Sequence, residues 1–142
     1  MNRAEQIFMA ALFFGAYRDI RKQSLPLWYL IVTAITAVVA QILWNTESWL
    51  SLLGGVGIGF IGVAFSYFSA GKFGLGDGIF LCLSGLYLGF SKNLYLLAMG
   101  LFFSTMFAMG CFIVTKNNKK KFPFLPFLLL SDFWLILGRI YL

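Results

Sequence analysis

Long apolar runs, each closed by a short polar or glycine-rich interruption, alternate along the whole 142-residue chain. Most are too long for strands and approach the roughly 17–25 mostly apolar residues that a membrane-spanning helix needs. They predict six spans, near 4–20, 26–44, 49–69, 77–91, 93–115 and 123–141. The first, through Ile7, Phe8, Leu12 and Phe14, has the look of a signal-peptide core. Glu5 stands at its start and no small-residue cleavage site precedes a polar mature region, so it reads as a retained helix. The fourth run is the shortest, and Gly85 and Gly89 weaken it further as a helix. In the third, Gly55, Gly59, Gly62 and Ser66 follow at steps of four, three and four. Those steps put them on one helix face, where missing side chains let a neighbouring helix come close.

Composition fixes the solvent. Hydrophobic residues make up 61% and charged residues 11%, against roughly 45–50% and about 25% in a soluble domain. Seventeen Phe, six Tyr and four Trp exceed what the core of so small a globule could hide. In lipid every backbone polar group must be satisfied within the fold, which for these run lengths means helices. The expected architecture is an all-α, polytopic integral membrane bundle of about six helices, with 1–142 as a single transmembrane domain.

Charge then orients the bundle. Arg18, Arg21, Lys22, Lys72, Lys116, Lys119, Lys120 and Lys121 fall on one side of it, and Arg3, Lys92 and Arg139 on the other. The positive-inside rule makes the first side cytoplasmic. Both termini then lie outside the cytoplasm. The lysine run at 119–121 reads as a topology signal in contact with lipid headgroups, and calls for no nucleic-acid partner.

Absences narrow the chemistry. The chain has no His, which removes Ser-His and Cys-His nucleophilic pairs and His-based metal sites. Cys82 and Cys111 are isolated in apolar runs and read as small buried hydrophobes. No GxxxxGK[ST] loop is present. Acid–base work is left to Glu5, Asp19, Glu47, Asp77 and Asp132, together with Lys and Tyr. An ionisable residue in or beside a span is costly and is a functional candidate for that reason. Asp19 ends the first span and Asp77 begins the fourth, so an out-and-back pair of spans returns both to the cytoplasmic face. Asp77 follows Gly71-Lys72-Phe73-Gly74-Leu75-Gly76, a stretch too rich in Gly for an uninterrupted helix. Asp132 comes nine residues after Pro123, roughly 13 Å along a helix and near the bilayer centre. It reads as a neutral, hydrogen-bonded group facing the bundle interior.

Gly74-Leu75-Gly76-Asp77 resembles the GxGD signature of the intramembrane aspartic proteases, in particular the type IV prepilin peptidases. Asp19, with the basic residues after it and Leu25-Pro26, resembles that family's first aspartate and its Ile-Pro. Phe122-Pro123-Phe124-Leu125-Pro126-Phe127 resembles the Pro-Phe-x-Pro-Phe stretch that opens its last helix. Order and spacing agree over nearly the whole chain. After the signature the family usually has a hydrophobic residue and Lys, whereas Gly78-Ile79 stands here. The cytoplasmic Cys-rich insertion of the larger, N-methylating members is missing, so the chain resembles the minimal peptidase core.

The resemblance implies a membrane-embedded aspartic endopeptidase with Asp19 and Asp77 as catalytic residues. Gly74 and Gly76 are the supporting GxGD backbone, where substrate or a neighbouring helix approaches closely. Two carboxylates a few ångströms apart share a proton and titrate together. The ionised one takes a proton from water, which attacks the scissile carbonyl; the protonated one bonds to that carbonyl and assists the leaving amine. No metal or organic cofactor is called for. The implied substrate is a prepilin-like precursor of a pilus or secretion system, cut on the cytoplasmic side of the membrane. Two other classes stay open: a small transporter or channel lined by Asp19, Asp77 and Asp132, and a catalytically silent assembly scaffold.

Overall fold

The computed structural model describes residues 3–22, 25–44, 47–69, 74–115 and 124–141. Lys72, Lys116, Lys119, Lys120, Lys121, Phe122 and Pro123 lie outside them. Among the described residues five helices follow one another: α1 (Arg3–Lys22), α2 (Leu27–Trp44), α3 (Trp49–Phe68), α4 (Leu75–Thr115) and α5 (Leu125–Tyr141). The boundaries of α1, α2, α3 and α5 fall within two residues of the expected spans. The expected fourth and fifth spans are instead the two arms of α4, which joins them at Gly89 with no intervening loop.

The break at Gly89 has a local cause. Its φ of 74° and ψ of −173° interrupt the helix with a conformation that disfavours a side chain. The backbone groups around it find other partners. Phe90 N–H donates to Ser51 Oγ at 3.0 Å, and Gln41 Nε2 donates to the Leu86 carbonyl at 2.7 Å. Asn93, fully buried, donates to the carbonyls of Gly55 and Leu81 and accepts from Ser84. A broken helix survives in an apolar medium only when its freed polar groups are satisfied in this way.

α4 is the hub, in contact with each of the other four helices, while α3 touches α4 alone among the described helices. The α3–α4 seam runs through the small-residue stripe. A Cβ on Gly85 would lie 2.3 Å from the Gly55 carbonyl carbon, and one on Gly59 would lie 2.2 Å from Cys82 N. Gly78 faces Val63 in the same way, at 2.8 Å from its backbone nitrogen. The pairs 55/85, 59/82 and 63/78 therefore step along an antiparallel contact at backbone distance, which is what small residues permit. Cys82 and Cys111 form no disulfide among the described residues and are only half-buried, Cys82 packing into this seam.

The remaining core lies between α1, α2, the first arm of α4 and α5. Phe8 packs on Phe80 and Tyr87, and Phe80 stacks on Tyr29. The two tyrosine hydroxyls end on carbonyls, Tyr29 on Ala11 and Tyr87 on Thr33.

The outer surface, unlike that of a water-soluble fold, is largely apolar. Leu50, Trp49, Phe68 and Val114 are each more than 80% exposed, while Ser84, Asn93, Ser131 and Asp132 are buried. Lipid is the medium in which that arrangement is stable. The helices Leu27–Trp44 and Trp49–Phe68 and the stretch Leu75–Val114 are long and apolar enough to cross a membrane. α1 carries acids or cations near both ends and α5 has only 17 residues, including Asp132 and Arg139. These two do not reach that standard alone.

Candidate active site

The two expected aspartates come together at one end of the bundle, and helix starts surround them. Asp19 sits in the last turn of α1, on the buried stripe that also holds Phe8, Leu12 and Ala16. It is 5% exposed. Its Oδ2 accepts a hydrogen bond from the Leu125 backbone N–H at 3.1 Å, and the Phe124 backbone is a second partner. Leu125 is the first residue of α5, where backbone N–H groups have no partner inside the helix. Pro126 follows, at a helix position that needs no N–H. The Pro-rich start of α5 thus leaves donors free, and Asp19 takes them as an N-cap supplied by another helix.

Asp77 belongs to the first turn of α4. Its N–H bonds to the Gly74 carbonyl at 3.1 Å, and its carboxylate folds back over Gly74. A Cβ on Gly74 would stand 2.7 Å from Asp77 Oδ2. The close approach at Gly74 is therefore made by the Asp77 carboxylate itself. Gly76 differs: a Cβ there would meet Leu25 at 3.5 Å, an ordinary contact. Leu25 comes from the segment before α2, whose first turn starts at the Pro26 carbonyl.

Asp77 lies within electrostatic reach of Asp19. Each carboxylate is thus held at a helix N-terminus, α5 for Asp19 and α4 for Asp77. The partial positive charge of helix starts favours carboxylates there and offsets part of their mutual repulsion. The separate segments that carry the resemblance, Asp19, Leu25-Pro26, Gly74 to Asp77 and the start of α5, meet at this end. The departure after Asp77 has a steric reason, since Gly78 lies against the α3 backbone and leaves no room for a larger side chain.

A model of the type IV leader peptidase family matches residues 6–114. The chain belongs to that family. Both Asp19 and Asp77 fall inside the matched span, and the start of α5 lies beyond it. Comparison with curated proteins and with solved structures gives no match. A leader-peptidase-like protease in a membrane is the coarse identity that the family and the apolar helices establish together.

Asp132 stands apart from this end. It is buried in α5, and its electrostatic neighbour is Glu5 of α1. Glu5 in turn meets Lys92 and Arg139, and Lys92 meets Glu47. The sequence put Lys92 and Arg139 on one side and offered Glu5 and Glu47 as acids, without pairing them. The signal available was their shared side: two acids and two cations at the end opposite Asp19 have reason to pair.

Proposed function

We propose that this leader peptidase is a GxGD-type aspartic endopeptidase, a single transmembrane domain over 1–142. It cuts prepilin-like precursors at the cytoplasmic face of the membrane, with Asp19 and Asp77 as its catalytic pair. The observation that carries the reading is the convergence of two helix N-termini on two carboxylates that sense each other. Such a pair holds one proton between its members. The ionised carboxylate activates water and the protonated one polarises the scissile carbonyl, then returns a proton to the leaving amine. All of this proceeds with groups of this chain and water.

The half-buried Asp77 is the member open to substrate, whereas Asp19 is covered by α5. A precursor with a short basic leader and an apolar helix presents its junction at the depth of this pair. The eight cations assigned to that side orient the bundle with the pair towards the cytoplasm.

The test is cleavage of a prepilin-like precursor by the purified protein in liposomes. A single cut at the junction of leader and apolar helix is expected. A well-folded protein that cuts no precursor across several leaders and lipid compositions overturns the reading.

The two signature glycines separate in the same assay. Gly74→Ala is expected to push the Asp77 carboxylate from its place and lower kcat by roughly 10²-fold, the scale of a 1 Å misplacement. Gly76→Ala, with room beside Leu25, retains near-normal activity. Equal loss in both would contradict the different surroundings of the two positions.

A further inference from the structure

We infer that Glu5 and Lys92 are positioning residues for the aspartate pair, an ion-pair clasp at the far end of the bundle that sets the axial register of α1 against α4. The inference rests on the proposed roles of Asp19 and Asp77 and adds what brings them level.

Lys92 Nζ lies 2.8 Å from Glu5 Oε1 and 3.2 Å from Glu47 Oε1, and Arg139 Nη1 lies 3.1 Å from Glu5 Oε1. The Glu5 side chain is 9% exposed and that of Lys92 22%. Four segments meet there: the start of α1, the chain before α3, the second arm of α4 and the end of α5. Among the described residues Glu5 and Glu47 are paired there with Lys92 and Arg139. Asp132 of α5 faces it as well.

Spacing ties the clasp to the site. Glu5 and Asp19 are fourteen positions apart on α1, and Asp77 and Lys92 are fifteen apart on α4, which runs the opposite way. At about 1.5 Å per residue the two intervals differ by one residue's rise, to which the single non-helical residue Gly89 adds its own local extension. Fixing Lys92 on Glu5 at one end therefore holds Asp77 level with Asp19 at the other. The clasp also spans the weak point of α4. Lys92 stands three residues beyond Gly89, and a Cβ on Gly89 would lie 2.8 Å from Glu47 Oε2. The two arms stay joined through Gly89, so pinning the second arm at Lys92 limits how far the first, with Asp77, can shift along α1. A buried Glu5 against a half-buried Lys92 at close range suits the task, because a slip weakens a pair whose carboxylate is shielded from water.

Lys92→Met, Lys92→Arg and Glu5→Gln are compared in the full chain in liposomes, by two readouts. In the cleavage assay Lys92→Met and Glu5→Gln are expected to lower kcat by about 10²-fold, the scale of a small misplacement. KM stays unchanged and Lys92→Arg restores the rate. The second readout needs no activity. Cysteines replacing Asp19 and Asp77, with Cys82 and Cys111 changed to Ala, are bridged by a short bifunctional thiol reagent. The bridging yield is expected to fall several-fold with Lys92→Met and to return with Lys92→Arg. Should Lys92→Met fail to fold, Glu5→Gln, which keeps the side chain's shape, gives the same comparison. Unchanged bridging in a folded Lys92→Met or Glu5→Gln protein overturns the inference. Lysine-dependent bridging in a protein that cuts no precursor supports the register role and overturns only the peptidase reading.

Discussion

Asp19→Asn and Asp77→Asn are each expected to abolish cleavage, a loss of roughly 10²–10⁴-fold or more, since each removes one half of the acid–base pair. Both proteins remain folded, because amide and carboxyl have nearly the same shape. The structure separates the two positions by a second measurement. Asp19 Oδ2 accepts from Leu125 N–H at the start of α5. The Asn amide oxygen can take over that bond, since Asn caps helices as well as Asp does. Asp19→Ala has no such acceptor and is expected to cost about 1 kcal/mol in stability, the usual worth of a cap. Among the described residues no hydrogen bond joins the Asp77 carboxylate to another helix, so Asp77→Ala is expected to cost less. Thermal unfolding in detergent beside the cleavage assay checks both. Retained cleavage by either Asn variant refutes the assignment of the pair, and equal melting of the two Ala variants refutes the capping role.

The largest effect on folding is expected in the α3–α4 seam. Gly85→Leu and Gly59→Leu each drive a side chain into backbone atoms that already lie 2.2–2.4 Å from the position of a Cβ. Overpacking among side chains costs about 1–3 kcal/mol because rotamers can yield. Backbone cannot, so the two helices must part. α3 has no other helix to rest on among the described elements, and its loss exposes the Gly78 face beside Asp77. Both variants are expected to lose their compact folded peak in detergent and their resistance to proteolysis. Gly57→Leu and Gly110→Leu are the controls, since nothing lies within 4 Å of a Cβ at either position. Folded Gly85→Leu protein with α3 still protected would show that the seam is looser than the distances require.

The candidate site was legible to an unusual degree because its parts are local signatures. A carboxylate at the end of a span and another at the start of a later one share a face by parity alone. A Gly-rich start and a Pro-rich start mark helix N-termini from residue type. The Gly55 and Gly59 spacing announced a tight helix contact, and it is found there. The partner of that contact was not legible, since it depends on which of five other segments presents Gly78, Cys82 and Gly85.

Expectation and structure part at Gly89 and at Gly74. Two spans were expected on either side of residue 92, yet the chain passes through Gly89 as one broken helix. Nothing local distinguishes a loop from a break whose polar groups are satisfied by Ser51 and Gln41 on other helices. At Gly74 a close approach was foreseen, but the approaching group is the chain's own Asp77.

Residue type and spacing were enough for the apolar medium, the helical class, the approximate limits of most apolar segments and the two candidate aspartates. Each follows through hydrophobic transfer, helix periodicity and the parity of the spans. The capping of α5 by Asp19, the contact of Gly78 with Val63, and the clasp of Glu5, Glu47, Lys92 and Arg139 arise only once the helices pack. Those facts join residues up to 134 positions apart. Hydrogen bonds and ion pairs act over a few ångströms, so such partners exist only after the helices have packed.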